Sequence, residues 1–342
     1  MIAAVALGGP SGSAQSSSVE EFYRGKTITI VVPFNPGTTP GNLGQAVADH
    51  LGEYIPGKPN ARVEFMLGGG GLRAQNHVYV RSPRDGTVIL MPNSAIAVSE
   101  YLTPEGVEYK TNEFIWLGVV LPTRHVLMVR KDTGVKTIDD LKKKEVFIGS
   151  SGAGSETDMY PRLANAVLGT KMNVVAGFPG GASDLMLAIE SGEMQGAVSG
   201  WQNWANRPDL SAKMTPILTF GQGRQPEVPD VPNFLEIVTN PEHLAIGRFI
   251  SSVGPIGRGA VSTPKVPQDR VAALRKAFAD VMANPEFAAK VKALNLPFEP
   301  GRRVAGTHQE GARCSSRGGP AGARTRRNSG AIAFRTHRVP LH

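Results

Sequence analysis

The chain has 342 residues, with 37 Lys plus Arg, 29 Asp plus Glu and a single cysteine. That length suits two compact domains, and one cysteine excludes a disulfide framework. The net charge of +8 does not mark a nucleic-acid-binding surface: nine Arg and one Glu lie in residues 301–342, leaving 28 bases and 28 acids in the first 300.

In chain order, "MIAAVALGGPSGSAQ" is a short apolar run followed by small residues, without a basic start. It reads as the back half of an export signal, with a disordered cytosolic N-terminus as the alternative, and residues 1–19 are set apart as a signal remnant or disordered segment. No apolar run reaches the length of a membrane span, so the exported chain is expected to be soluble. "KTITIVVPF" has strand character. After it, "PGTTPGNLGQAVADHLGEYI" is a turn and an amphipathic helix, with Leu43, Val47 and Leu51 at helical spacing. Strand "ARVEFML", glycine loop and helix "GGGGLRAQNHVYV", strand "DGTVILM" and helix "PNSAIAVSEYL" continue the alternation. Strand, loop, helix, repeated, predicts a mostly parallel sheet with crossover helices. "EFIWLGVVLPTRHVLMVRKD" is apolar on both sides of "PTRH" and reads as two strands flanking a hinge. A second α/β series follows, with strands "EVFIGS", "KMNVVAGF", "MQGAVSG" and "MTPILTF" separated by helices. "NPEHLAIGRFISSVGPIG" is expected to return the chain to the first domain, closed by helices in "PQDRVAALRKAFADVMANP" and "NPEFAAKVKALNL". The last 42 residues, rich in Arg, Gly and Ser, show no apolar period and read as a disordered arm or a frame-shifted end.

Glycine-rich junctions recur after strands at Pro36–Gly41, Gly68–Gly71, Gly149–Ser155 and Phe178–Asp184. In an open parallel sheet, ligands gather at the carboxyl ends of strands, where free N–H groups of helix N-termini attract anions. Ser150, Ser151 and Ser155 add hydroxyls. Several such donors on facing loops would hold a carboxylate without an arginine. Nucleotide motifs fail: no glycine loop ends in Lys-Ser or Lys-Thr, and Gly152-Ala153-Gly154-Ser155-Glu156-Thr157 lacks the last glycine of G-x-G-x-x-G. Gly149-Ser150-Ser151-Gly152-Ala153 is no nucleophile elbow. His50, His77, His125 and His243 are scattered and read as surface or packing residues. The acids near the loops are Asp158 and Asp184. Trp201, after a strand end, is read either as core or as an apolar wall of a cleft.

The motifs "YRGKTITIVVPFNPG", "FMLGGGGLRAQNHVY", "SPRDGTVI", "FIGSSGAGSETD" and "DVPNFLEI", in this order, resemble the solute-binding proteins of tripartite tricarboxylate transporters. The resemblance covers about Glu20 to Pro300. It implies a two-lobed, venus-flytrap fold of the type II kind, each lobe a mixed, mostly parallel sheet flanked by helices. One lobe would comprise 20–121 plus 247–300, the other 122–246, with 301–342 outside both. The family places a ligand carboxylate between the loop after the first strand and the serine-glycine loop of the second lobe. Those loops map to Pro36, Gly37, Thr38 and Thr39, and to Ser150, Ser151, Gly152, Ala153, Gly154 and Ser155, and Asp158 is added to the expected ligand-binding set. Gly180, Gly181 and Ala182 fit its third contact loop, and Gly70, Asn93, Ser94 and Trp201 complete the expected ligand-binding set. The aspartate that the family often carries in the first loop is absent here, where Gly37-Thr38-Thr39-Pro40-Gly41 stands. The resemblance implies a monomeric periplasmic receptor for a small organic carboxylate, delivering it to separate membrane subunits, without metal, cofactor or nucleic acid. The alternatives are a two-lobed enzyme using Asp158 or Asp184 as base, and a sensor subunit.

Overall fold

The structure, a computed structural model, describes residues 18–296 and Phe298. The apolar leader (1–15) and the Arg-rich tail (301–342) lie outside these residues. The first lobe begins with α1 (Val19–Tyr23), β1 (Thr27–Val32), α2 (Thr39–Tyr54), β2 (Asn60–Phe65), α3 (Leu72–Val80), β3 (Val88–Leu90), α4 (Ile96–Leu102) and β4 (Ile115–Leu121). The second lobe holds β5 (His125–Arg130), α5 (Ile138–Lys143), β6 (Val146–Ser150), α6 (Glu156–Leu168), β7 (Met172–Ala176), α7 (Ala182–Glu190), β8 (Gly196–Gly200), α8 (Trp201–Ala205), α9 (Pro208–Ser211) and β9 (Met214–Phe220). Three helices follow: α10 (Phe234–Ile237), α11 (Pro241–Ser251) and α12 (Val253–Ile256). The chain then closes with β10 (Arg258–Ser262), α13 (Gln268–Ala283) and α14 (Pro285–Ala293).

Two five-stranded sheets result, ordered β2-β1-β3-β10-β4 and β7-β6-β8-β5-β9. In the first, β1 runs parallel to β2 and β3, while β10 is antiparallel to β3 and β4. In the second, β6 is parallel to β7 and β8, while β5 is antiparallel to β8 and β9. Each sheet is therefore mixed, with its three-strand parallel part made by β-α-β crossovers. Pro216, which cannot donate to a ladder, sits in the edge strand β9 where the register with β5 shifts.

The predicted helix after the first strand is α2. Thr38 caps it, its Oγ1 accepting from Gly41 N at 3.2 Å, and Pro40 occupies the first turn, where no intrahelical donor is needed. Leu43, Val47 and Leu51 are all fully buried, so the helical spacing turns one face onto the first core. Phe278 of α13 and Phe287 of α14 join that core, which fastens the returning C-terminal helices to the N-terminal segment.

The lobes are joined at two adjacent crossings. One is Pro122–Arg124, between β4 and β5, as the "PTRH" reading expects. The other ends at Gly257, whose φ of +50° and contact with Leu121 and Pro122 leave no room for a side chain. Thr123 N donates to Gly254 O at 2.9 Å, pinning the crossings together. The return lies further along the chain than the sequence boundary at 247. Ile250 and Val253 pack in the second core with Tyr160, Phe220 and Phe234, so α11 and α12 stay with that lobe.

Phe278 lies on Gly118, where a Cβ would stand 2.8 Å from the ring, so the site is packed closely on both sides. Phe278→Ala is expected to destabilise the chain by about 3–5 kcal/mol, read as a lower urea midpoint; an unchanged midpoint would show that α13 is not a core element.

Candidate functional site

The carboxyl ends of the parallel strands in both sheets and the starts of the antiparallel strands β5 and β10 face a common seam, and the loops there meet directly. Asn35 Nδ2 of the first loop donates to Asp184 Oδ1 at 3.0 Å, and Asn35 N to Gly180 O at 3.3 Å. Thr39 Oγ1 donates to Asn203 Oδ1 at 2.8 Å. Asn93 Nδ2 donates to both Gly70 O and Gly154 O, the second at 2.6 Å, while its Oδ1 accepts from Gln75 at 3.0 Å. Ser94 Oγ donates to Glu156 Oε1. Gly70, at φ +64°, lies so close to Gly152 O and Ser155 that a Cβ would come within 2.7–2.8 Å of them. The lobes are closed on one another.

Inside this seam is a cavity of about 30 Å³, lined from the first lobe by Phe34, Thr38, Pro40 and Arg258. The second lobe contributes His125, Ser151, Glu156, Thr157, Gly181, Ala182, Ser199, Gly200 and Asn203. That volume accommodates one or two water molecules and no four-carbon acid, so entry of an organic ligand requires the lobes to part.

Of the expected site residues, Thr38, Ser151, Gly181 and Ala182 share this cavity. Pro36 and Gly37 lie in the loop beside it, and Thr39, Asn93, Ser94 and Gly70 are used in contacts across the seam. Ala153, Ser155 and Asp158 line a different cavity, of about 540 Å³, with Leu72, Pro104 and Arg162. Ser150 Oγ is bonded to Asp158 and accepts from Gly152 N at 3.0 Å. Gly154 presents its carbonyl to Asn93 and Ser99, and Gly180 gives its N–H to Asp184. Trp201 packs on the second-lobe core beside Met186 and Trp204; Asn203, two residues later, reaches the cavity instead.

The loop amides are largely satisfied within their own loops. Gly37 N donates to Asn42 Oδ1, Thr38 N to Asn35 O, and Gly41 N to Thr38 Oγ1, while Pro40 has no N–H. Ser151 N donates to Thr157 Oγ1, Ser155 N to Gly152 O and Gly181 N to Phe178 O. Donor capacity is instead concentrated in a side chain that the sequence reading passed over. Arg258 opens β10, is only 7% exposed, and its Nε has no hydrogen-bond partner among the described residues. Its guanidinium lies over Gly200, where a Cβ would be 3.7 Å from one terminal nitrogen. The expectation of an anion site without an arginine is therefore corrected: the cavity contains a buried one.

Beside it stand Glu156 (4% exposed) and His125 (3% exposed). Burial opposes ionisation of Glu156, but the charge that His125 would carry if protonated, the charge of Arg258 and hydrogen bonds from Ser94 and its own amide outweigh it, holding the carboxyl below its usual range. Burial pushes Arg258 down, and Glu156 opposes that. Burial also pushes His125 down to about 4, leaving it neutral near pH 7, with Nδ1 unpartnered and the ring 5.3 Å from that of Tyr160. His125, read from the sequence as a packing residue, does pack, yet it also borders the cavity. The acids near the loops are spent: Asp158 pairs with Arg162 at 2.8 Å, and Asp184 accepts from Asn35, Gly180 and Ser183. Among the described residues no group of three His, Cys, Asp or Glu side chains is placed to hold a metal ion, and no helix is long and apolar enough to cross a membrane.

Two mixed α/β lobes, double crossings and a polar cavity in the seam define the fold of the periplasmic binding proteins. The solved structure of the periplasmic binding protein BugD matches with a TM-score of 0.68 at 17% identity, over 86% of this chain and 96% of that one. MatC from Rhodopseudomonas palustris, solved with bound malate, matches with a TM-score of 0.65 at 18% identity, over 85% and 99%. In sequence, a protein of Agrobacterium vitis described as the UPF0065 protein in the TAR-I ttuE-ttuC' intergenic region is 27% identical over 165 residues, 46% of this chain and 47% of that protein. That match spans about half the length of the relative. No family model matches the chain.

Two predictions follow from this geometry. Gly70→Ala places a methyl against Gly152 O and Ser155, and left-handed backbone adds about 1–2 kcal/mol of strain. X-ray scattering should give this variant a larger radius of gyration than the wild type with unchanged circular dichroism; equal radii would show that the seam tolerates the methyl. His125 takes up no proton in the folded state until about pH 4, whereas the unfolded chain does so near pH 6.5. Stability conferred by the neutral, buried ring is thus lost as pH falls from 6.5 to 4, by up to roughly 3 kcal/mol. His125→Gln should flatten urea-derived stability over that window, and an unaltered slope would refute the assignment.

Proposed function

We propose that the chain is a periplasmic solute receptor that captures a small organic carboxylate between its lobes for a transporter of the tripartite tricarboxylate type. The observation that carries this reading is the shared cavity: Thr38 of the first loop, Ser151 of the serine-glycine loop, the start of α7 at Ala182 and the buried guanidinium of Arg258 all line it. A guanidinium with an unpartnered, buried Nε gains a charge-assisted hydrogen bond when a carboxylate enters. The first-turn amides of α7 and its dipole add to the same potential. Parting at 122–124 and 254–257 admits the ligand, and closure brings Arg258 and the second-lobe donors onto it together.

The fold relatives support the same reading, since one of them is described as a periplasmic binding protein and another holds malate. Export to the periplasm, a monomeric state and hand-over to separate membrane subunits belong to this proposal as the receptor class requires them. An enzymatic role is disfavoured because Asp158 and Asp184 are each held by an ion pair or by several hydrogen bonds outside the cavity lining.

Calorimetric titration with small carboxylates should detect binding by the wild type. Arg258→Gln should weaken it by about tenfold or more, the loss of one hydrogen bond to a charged group. Retention of full affinity by that variant would remove the arginine from the site.

A further inference from the structure

We propose that the ligand is a small α-amino acid, bound as a zwitterion with its carboxylate on Arg258 and its ammonium on Glu156. This deepens the receptor reading above and rests on it. Arg258 and Glu156 are more than nine-tenths buried, line the same cavity and come from opposite lobes. No hydrogen bond joins them among the described residues, and the buried Nε of Arg258 is left without a partner. Ser94 takes one carboxylate oxygen of Glu156, Oε1. The site therefore offers a buried cation with an unpartnered donor and, from the other lobe, a buried anion.

Charge balance then selects the ligand class. With His125 neutral, Arg258 and Glu156 sum to zero. A monocarboxylate would leave one uncompensated negative charge in a desolvated seam and a dicarboxylate two, whereas a zwitterion leaves none. Burying an unpaired charge is costly, and removing one partner of a buried pair is more so. A carboxylate faces the guanidinium with matched planar geometry, and an ammonium supplies three donors to a carboxylate oxygen. The remaining lining sets Phe34, Pro40 and Ala182 beside neutral hydroxyl and amide groups of Thr38, Ser151, Thr157, Ser199 and Asn203, and among the described residues it offers no second cation for a second acid group.

The test uses matched pairs differing only in the amino group: alanine with propionate and aspartate with succinate, titrated calorimetrically into wild-type protein and into Glu156→Gln. The wild type should bind alanine about tenfold or more tightly than propionate, since a site built around a donor rejects the analogue lacking it. Glu156→Gln should bring the members of each pair together or reverse their order. If that variant does not fold, the wild-type pairs decide the matter alone. Tighter binding of propionate than alanine and of succinate than aspartate by the wild type would overturn the zwitterion assignment and leave the receptor reading standing. If none of the four acids binds, the receptor reading fails and this assignment with it.

Discussion

The structure turns on one constraint: charges buried at the seam between two lobes must be satisfied by groups that the lobes bring from opposite sides. Arg258 is carried by the strand that opens immediately after the second crossing, and Glu156 by the first turn of a helix in the other lobe. Neither has the solvent that would compensate it at a surface. In a medium of low effective dielectric constant their mutual field is strong, and a group inserted between them feels both. The seam therefore differs from ordinary packing, because apolar contacts alone would leave these charges uncompensated.

The rest of the seam is built to open. Its polar contacts, apart from the Ser94 bond to Glu156, are hydrogen bonds between neutral groups or to the part-buried Asp184, made by Asn35, Thr39 and Asn93, and apolar contacts of Ala95 and Val98 with the second core run beside them. Each hydrogen bond is exchanged for one to water when the lobes part, so its net contribution is modest, about 0.5–1.5 kcal/mol. One core holds Phe278 and Phe287 and the other Tyr160, Phe220 and Ile250, and the second also takes in Ala95 and Val98 at the start of α4, so parting the lobes has to break apolar contacts there. The two crossings, Pro122–Arg124 and Gly254–Gly257, are where the chain passes between the lobes. There Gly257 supplies a backbone conformation other residues avoid, and the Thr123–Gly254 bond keeps the two strands of the hinge in step.

Much of this was legible in the sequence where the signal is local. Leu43, Val47 and Leu51 announce α2, the β-branched runs announce β1 and the glycine junctions mark the loops at the seam. "PTRH" marks the first crossing because two apolar strands cannot share it. The site itself was less legible, for two physical reasons. "RGAVS", five residues between Gly257 and Thr263, is too short and too small in side chain to read as a strand, so β10 and the arginine at its start went unseen. The amides of the glycine loops looked available because spacing does not reveal that Asn42, Thr157 and Asp184 would fill them from nearby positions. Trp201 is apolar and near the cleft, but its direction is fixed by the core of its own lobe.

The family resemblance sharpens the last point. The first loop here lacks the aspartate that such receptors often carry, so that loop has no carboxylate with which to hold a ligand's donor. Glu156 brings one from the facing lobe, 118 positions beyond Thr38 in the chain. The substitution of origin changes the energetics. A carboxylate on the same lobe as the remaining donors contributes to binding whether the cleft is open or closed. One that faces Arg258 across the seam contributes only once the lobes have met. A ligand shifts a conformational equilibrium by no more than its difference in affinity for the two states. On the proposed reading, splitting the opposed charges between lobes would place nearly all of that difference in the closed state, so a ligand spanning both charges would also be the one that draws the lobes together.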